Sequence, residues 1–230
     1  MVVRVWERVT SLGLADRVLV ATDSREVADV VRAAGGEAVL TRSDHPSGTD
    51  RVAEAAAGHS ADVILNVQGD EPFVSPSALQ GAVAMVAEAQ FDIGTAAVAC
   101  SVEEAHAPSC VKVVCAADGR ALYFSRALVP HLREPADAAL QQAHLMRHVG
   151  VYAYRAEALA RWVSLPVHPL EQCERLEQLR PLAHGLTIGV SHVADAGSAG
   201  IDTEADLAAA NVRWTTPSSR TSSPHLEGAR

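Results

Sequence analysis

The chain has 230 residues, 48% of them hydrophobic and 20% charged, with a formal net charge of −9, which describes an ordinary globular protein large enough for one sizeable α/β domain. The acidity argues against an electrostatic nucleic-acid binder, which needs a basic patch or stripe, and no stretch reaches the ~20 apolar residues of a membrane span. Cys100, Cys110, Cys115 and Cys173 lie at irregular spacings without a CxxC pair; with no signal-peptide pattern, this argues against a zinc site or disulfide framework and makes the cytoplasm the expected compartment.

Val2, Val5, Trp6, Val9 and Leu12 recur at helical spacing until Gly13, so the chain opens in an amphipathic helix. Arg17–Ala21 reads as a short buried strand ending at Thr22-Asp23. Asp23 or Ser24 can cap the helix that carries Val27, Val30 and Val31, and Gly35-Gly36 end it. Glu37–Leu40 is a second strand, followed by a loop from Thr41 to Asp50 and a helix from Asp50 to Ala57. Next comes the stretch around which the chain is organised, Asp62–Pro72. Its run of Val63, Ile64, Leu65 and Val67 suits a strand covered on both faces. The run stops at Gln68-Gly69-Asp70-Glu71-Pro72, where Gly and Pro break the ladder. Alternating strand and helix up to this point imply right-handed parallel crossovers.

Ser75-Pro76 is a cap followed by proline at the first helical position, with the helix running to Glu88. Ile93–Ala99 is a strand, and Val111–Cys115 and Ala121–Ser125 flank Ala-Asp-Gly-Arg as an antiparallel hairpin. Residues 130–144 hold two prolines and little periodicity, which predicts a loop with at most one helical turn. Arg147–Tyr154 alternates as a strand, Glu157–Trp162 and Leu170–Leu179 read as helices, Leu186–Val190 as a strand and Glu204–Val212 as a last helix. The expectation is one domain over 1–213 and a disordered tail over 214–230.

In open α/β sheets, ligands bind beyond the carboxyl ends of strands, where Asp70 falls. A second acid, Asp202 in Gly-Ile-Asp-Thr-Glu204, also follows a glycine-rich turn and precedes a helix. Either acid can simply cap a turn or a helix. Together they offer what a hard Mg²⁺ needs, one or two carboxylates with water and phosphate oxygens in the other positions. Asp70 and Asp202 are therefore expected to meet around magnesium facing a nucleotide triphosphate. Ser47-Gly48-Thr49 brings hydroxyls and backbone N–H groups to a helix start, which can hold a base, a ribose or a phosphate, or merely begin the helix. Arg126, Arg133, Arg147, His148, Tyr152 and Tyr154 gather around the hairpin. Such a set suits a polyhydroxylated acidic ligand, Arg taking a carboxylate bidentately, although each residue singly is commonly a solvated surface group. Glu174, Glu177 and Gln178 lie at the spacing that faces one direction on the Leu170–Leu179 helix, or form a solvated helix face.

The blocks Val-Ala-Thr-Asp23, Ala-Gly-Gly-Glu37, Thr41 to Arg51, Asn66 to Pro72, Val-Lys-Val-Val114, Ala-Leu-Tyr-Phe-Ser-Arg126, Arg147 to Arg155, Pro169 to Arg180 and Gly-Ile-Asp-Thr-Glu204 occur in order. In this order the chain resembles the 3-deoxy-manno-octulosonate cytidylyltransferases, also called CMP-KDO synthetases. The resemblance implies a nucleotide-diphospho-sugar transferase fold, a Rossmann-like three-layer α/β sandwich with a mixed, mostly parallel sheet and an antiparallel hairpin region. It implies transfer of CMP from CTP to the anomeric hydroxyl of 3-deoxy-manno-octulosonate with release of pyrophosphate, for lipopolysaccharide biosynthesis. It further implies Asp70 and Asp202 as Mg²⁺ ligands, and Gln68 beside the metal. Arg126, Arg133, His148, Tyr152, Glu177 and Gln178 would hold the sugar acid, Ser47, Gly48 and Thr49 would lie on the nucleotide side, and the protein would be a homodimer. Family members begin with a buried strand and a loop ending in Gly-Lys-Pro-Leu, whose Arg and Lys grip the triphosphate. Nothing in Met1–Arg8 resembles that loop, so the domain is expected to be N-terminally incomplete, through a start codon assigned too far downstream or a real truncation. A cytidylyltransferase for another acid sugar and an inactive binding or dimer-partner subunit are the alternatives.

Overall fold

In the computed structural model, which describes residues 1–197, 200–201 and 203–215, the chain opens with helix α1 (Val2–Ser11), burying Val5 and Val9. Strand β1 (Leu19–Thr22), helix α2 (Arg25–Ala33), strand β2 (Glu37–Leu40), helix α3 (Gly48–Ala56) and strand β3 (Val63–Asn66) follow. The helix starts fall where serines can cap them: Ser24 accepts from Val27 N–H and Ser47 from Asp50 N–H, each satisfying a donor that a helix start leaves orphaned. At the α2–β2 turn, a Cβ on Gly36 would come within 2.8 Å of Val31 and 2.9 Å of Trp6. Only glycine lets α1 and α2 close on this corner.

Helix α4 (Pro76–Ala87), capped by Ser75, leads to strand β4 (Ile93–Ala99). Helix α5 (Val102–His106) precedes the hairpin of β5 (Lys112–Cys115) and β6 (Ala121–Ser125). The sequence pattern does not predict α5, although Ser101 and Glu104 form a reciprocal capping box there. A 3-10 turn (Pro135–Asp137) and helix α6 (Ala138–His144) occupy the segment expected to be mostly loop. Tertiary bonds hold that helix: Gln141 Nε2 donates to Pro130 O at 2.9 Å and Gln142 Nε2 to Cys100 O at 2.8 Å. Strand β7 (Met146–Arg155) and helix α7 (Ala156–Ser164) match expectation. The single helix expected over Leu170–Leu179 is instead two, α8 (Pro169–Glu174) and α9 (Leu179–Ala183), with Arg175 between them in the left-handed region at φ 54°. Arg180 reaches back to Glu171 with two hydrogen bonds of 2.8 and 2.6 Å, a pair whose side chains are 7% and 13% exposed. This tie folds α9 against α8, so Glu174 does not share a helix face with Glu177 and Gln178. Strand β8 (Ile188–Val193) ends the series.

The sheet is mixed. β1 and β2 pair in parallel, as the strand–helix–strand pattern predicts, but β3 does not extend that arrangement: it pairs antiparallel with β7. β7, ten residues long, also pairs antiparallel with β4 and β5, giving the order β6-β5-β7-β4-β8 with β3 beside β7. The β4–β8 pair is parallel. The apolar run Val63–Leu65 is nonetheless covered on both faces. Ile64 packs with the core cluster of Tyr152, Tyr154, Trp162 and Leu179, while Val63 and Leu65 pack with that of Val5, Val9, Leu79 and Val151. Helices α1 and α4 thus cover one face and α3, α7 and α9 the other, the three-layer α/β arrangement. At Gly94 an added Cβ would lie 1.9 Å from Ala82 O, so glycine lets α4 lie directly on β4.

The described residues up to Gly197 form one compact unit and those from Gly200 on belong to a second. The described part of the second is helix α10 (Glu204–Thr215) with its start. There Thr203 Oγ1 accepts from Asp206 N–H and donates to Asp206 Oδ2. Residues 216–230 of the expected tail, and Asp202, lie outside the described residues.

Candidate active site

Strand β3 ends in a tight turn, Glu71 N–H bonding Gln68 O at 3.2 Å and Val74 N–H bonding Glu71 O at 3.3 Å. The turn lifts Asp70, half-buried, off the end of the sheet. Gln68 Oε1 lies 3.8 Å from the point where a Cβ on Gly48 would stand, so the strand end meets the first residue of α3. Glu71, which did not figure among the expected site residues, points instead over β7: its Oε1 lies 3.7 Å from the Cβ position of Gly150. Burial and then the neighbouring Asp70 push its carboxyl up to about 7, against the opposing pull of Arg147. Its position beside Asp70 was the one signal available in the sequence.

The loop expected on the nucleotide side divides its hydroxyls. Ser47 donates to Asp50 Oδ2 at 2.6 Å while capping α3. Thr49, only 1% exposed, turns inward and donates to Glu177 Oε1 at 2.9 Å. Glu177 Oε2 is buried with no hydrogen-bond partner among the described residues. Burial raises the Glu177 pKa, offset in part by the hydroxyls of Thr49 and then Ser47. Gln178, beside it, is 3% exposed.

Tyr152 and His148 sit in an aromatic group on β7. The Tyr152 ring stacks on Tyr154 at 6.0 Å and meets Trp162 edge-on, and His148 contacts Phe124 at 5.1 Å and Tyr152 at 5.4 Å. Burial, then Arg147, pushes the His148 pKa down to about 3, so the imidazole is neutral at pH 7. Its Nε2 lies 2.9 Å from Thr95 Oγ1, which donates to Val151 O at 2.7 Å. Because that hydroxyl has a single proton, we assign Nε2–H as donor to Thr95 and Nδ1 as acceptor. His148 thus offers a hydrogen bond and no charge. Thr95 stands where the β4–β7 register shifts, a feature with no signal in the sequence. Tyr152 is kept a neutral phenol by burial and by Glu177 nearby.

The two arginines part company. The Arg126 guanidinium donates to main-chain carbonyls, Nε to Glu174 O at 2.8 Å, Nη1 to Pro108 O at 2.8 Å and Nη2 to Arg175 O at 3.3 Å. It therefore braces the α8–α9 break. Arg133, exposed and 3.6 Å from Glu134, lines a cavity of about 740 Å³ with Val113, His131, Leu140 and His144; no other expected site residue lines it. The structure thus brings Gln68, Gly48, Thr49, Glu177, Tyr152 and His148 together by successive contacts. Asp70 lies at the same strand end, while Arg126 and Arg133 are directed elsewhere.

A hard carboxylate at Asp70, with the Gln68 amide oxygen two residues away, fits Mg²⁺, which binds through one or two carboxylates and leaves the remaining positions to water and phosphate. The described residues hold no group of three or more His, Cys, Asp or Glu side chains placed to form an all-protein metal cage.

A family model described as Cytidylyltransferase matches residues 1–188. The 3-deoxy-manno-octulosonate cytidylyltransferase of Gemmatimonas aurantiaca is 59% identical over 217 residues, covering 93% of this chain and 84% of that protein. The protein of the same name from Syntrophotalea carbinolica is 46% identical over 213 residues, 90% of this chain and 85% of its own length. A solved CMP:2-keto-3-deoxy-manno-octonic acid synthetase complexed with CTP superposes with a TM-score of 0.84 at 38% identity, over 92% of this chain and 86% of that one. Similarity of this extent means that the chain belongs to the 3-deoxy-manno-octulosonate cytidylyltransferase family.

Proposed function

We propose that the protein transfers CMP from CTP to the anomeric hydroxyl of 3-deoxy-manno-octulosonate, releasing pyrophosphate, as a step toward lipopolysaccharide. What carries this reading is likeness over nearly the whole chain to proteins named for that reaction. The sugar hydroxyl attacks the α-phosphorus as pyrophosphate leaves, with little covalent work for the protein, so catalysis is positioning and charge neutralisation. Asp70 and Asp202 would hold Mg²⁺, which when bound neutralises phosphate charge and eases ionisation of the attacking hydroxyl. Ser47, Gly48 and the first turn of α3 face the nucleotide with N–H groups and the positive end of a helix, and Gln68 bridges from β3. His148 Nδ1, the Tyr152 hydroxyl, Glu177 and Gln178 take sugar hydroxyls. Arg133 supplies charge for the sugar's carboxylate, and so does Arg126 to the extent that its carbonyl partners release it. The reading includes a cytoplasmic location, from the cysteine pattern and the lack of a signal-peptide pattern, and a homodimer, as the family resemblance implies.

The test is pyrophosphate release with CTP and Mg²⁺, comparing 3-deoxy-manno-octulosonate with sialic acid. Turnover confined to the octulosonate is the expected result. Preference for sialic acid would move the protein to another acid sugar, and the absence of magnesium-dependent CTP binding in calorimetry would make it a non-catalytic subunit.

A further inference from the structure

Thr49 sits in the loop read as nucleotide-binding, at the first turn of α3, yet its hydroxyl is buried and committed across the fold. It is 1% exposed and donates to Oε1 of Glu177, 128 residues away, at 2.9 Å. The oxygen Oε2 of the same carboxyl is buried and has no partner among the described residues. A buried acceptor left unsatisfied is costly unless a ligand completes it. With Oε1 held, rotation of the carboxyl is restricted and Oε2 is the atom left to accept from a ligand hydroxyl. Tyr152, 4% exposed, lies close enough for Glu177 to push its pKa up, and Gln178, the next residue in the chain, is 3% exposed. Asn66, which ends the strand that leads to Gln68 and Asp70, donates to the Tyr154 hydroxyl at 3.4 Å, and that hydroxyl also feels Thr49.

We infer that Thr49 is a positioning residue for the acidic sugar and not a nucleotide ligand: its hydroxyl pins Glu177 so that one carboxyl oxygen is presented to a sugar hydroxyl. The inference rests on the reading of Glu177 as a sugar-side residue. It also means that the start of α3 serves both substrates, Ser47 and Gly48 through the backbone and Thr49 through Glu177, with the Ser47 hydroxyl, which donates to Asp50, also close to that carboxyl.

The experiment is steady-state kinetics with CTP and 3-deoxy-manno-octulosonate varied separately. Thr49→Val keeps the shape and removes the hydroxyl; it should raise KM for the sugar about tenfold and leave KM for CTP within about twofold. Thr49→Ser, which keeps the hydroxyl, should recover most of the sugar affinity, a recovery that a purely packing role would not produce. In a Glu177→Gln background, Thr49→Val should add little, since the two act through one interaction. Should Thr49→Val fold poorly by its thermal melt, Thr49→Ala gives the same comparison. A rise confined to KM for CTP, unchanged constants, or effects additive with Glu177→Gln would each overturn the inference. If Glu177→Gln itself leaves the sugar KM unchanged, the sugar-side reading falls and takes the inference with it. If it raises that KM while Thr49→Val does not, only the role of Thr49 falls.

Discussion

The region from β1 to the turn after β3 and the region around β7 carry ligand chemistry by different means. In the first, apart from the buried Thr22, Thr41 and Thr49, many of the charged side chains lie outside and pair with one another. Arg17 pairs with Glu37 at 52% and 55% exposure, and Arg42 with Asp44 at 67% and 68%. What is positioned there is main chain: the capped start of α3 and the turn after β3. Around β7 the chemistry is held by side chains sunk into an aromatic core, with Tyr152, Tyr154 and Trp162 each no more than 4% exposed. Backbone sites survive exchange of nearby surface groups, because hydrogen bonds within helices and turns hold them. Side-chain sites in a packed core cannot be altered without disturbing stability as well.

That contrast can be broken most sharply at Asp70. Asp70→Asn should lower turnover on the order of 10³-fold while the melting temperature stays near wild type, because the group sits half-buried beyond the strand end. A large drop in melting temperature would show that the β3 turn is as integrated as β7. At the other pole, Trp162→Ala removes the ring that Tyr152 and Tyr154 both meet edge-on, and it should cost about 3–5 kcal/mol in denaturant unfolding.

A subtler difference concerns pH. His148 has its folded pKa lowered from 6.5 to about 3, so between those values the unfolded chain binds a proton that the folded one refuses. Stability should therefore fall as pH drops from 6.5 towards 3 and be insensitive to this group above that window. His148→Gln should flatten that part of the curve in melts against pH, and an unchanged slope would mean that the ring is not buried neutral. The smallest effect is expected at Arg17→Ala, where an exposed ion pair contributes little. A measurable shift in melting temperature there would erase the distinction between the two regions.

Much of this was legible before any coordinates. Ser24 and Ser75 cap the helices that follow them, and β2 and β4 run over the residues that their apolar pattern marks, because caps and alternation act within a few residues. The partner of β3 was not legible. Its apolar run identifies a strand covered on both faces, but parallel pairing with β1 and antiparallel pairing with β7 would leave the same run. The break at Arg175 carries neither Gly nor Pro; it is held by the Arg180–Glu171 pair and by Arg126 on the α8 carbonyls. For that reason Arg126, read from the sequence as a sugar ligand, is found bracing a turn.

The sequence by itself determined the family, the strand-end position of Asp70 and a helix after the Ser47–Thr49 loop, which it begins at Asp50, two residues late, since each depends on residue order and nearest-neighbour chemistry. Only the tertiary structure decided that β7 lies at the hub of the sheet, that His148 is neutral and that Thr49 turns away from its own loop to Glu177. Those outcomes depend on burial and on contacts between residues far apart along the chain, where the energy of a hydrogen bond or a charge depends on what else has been brought beside it.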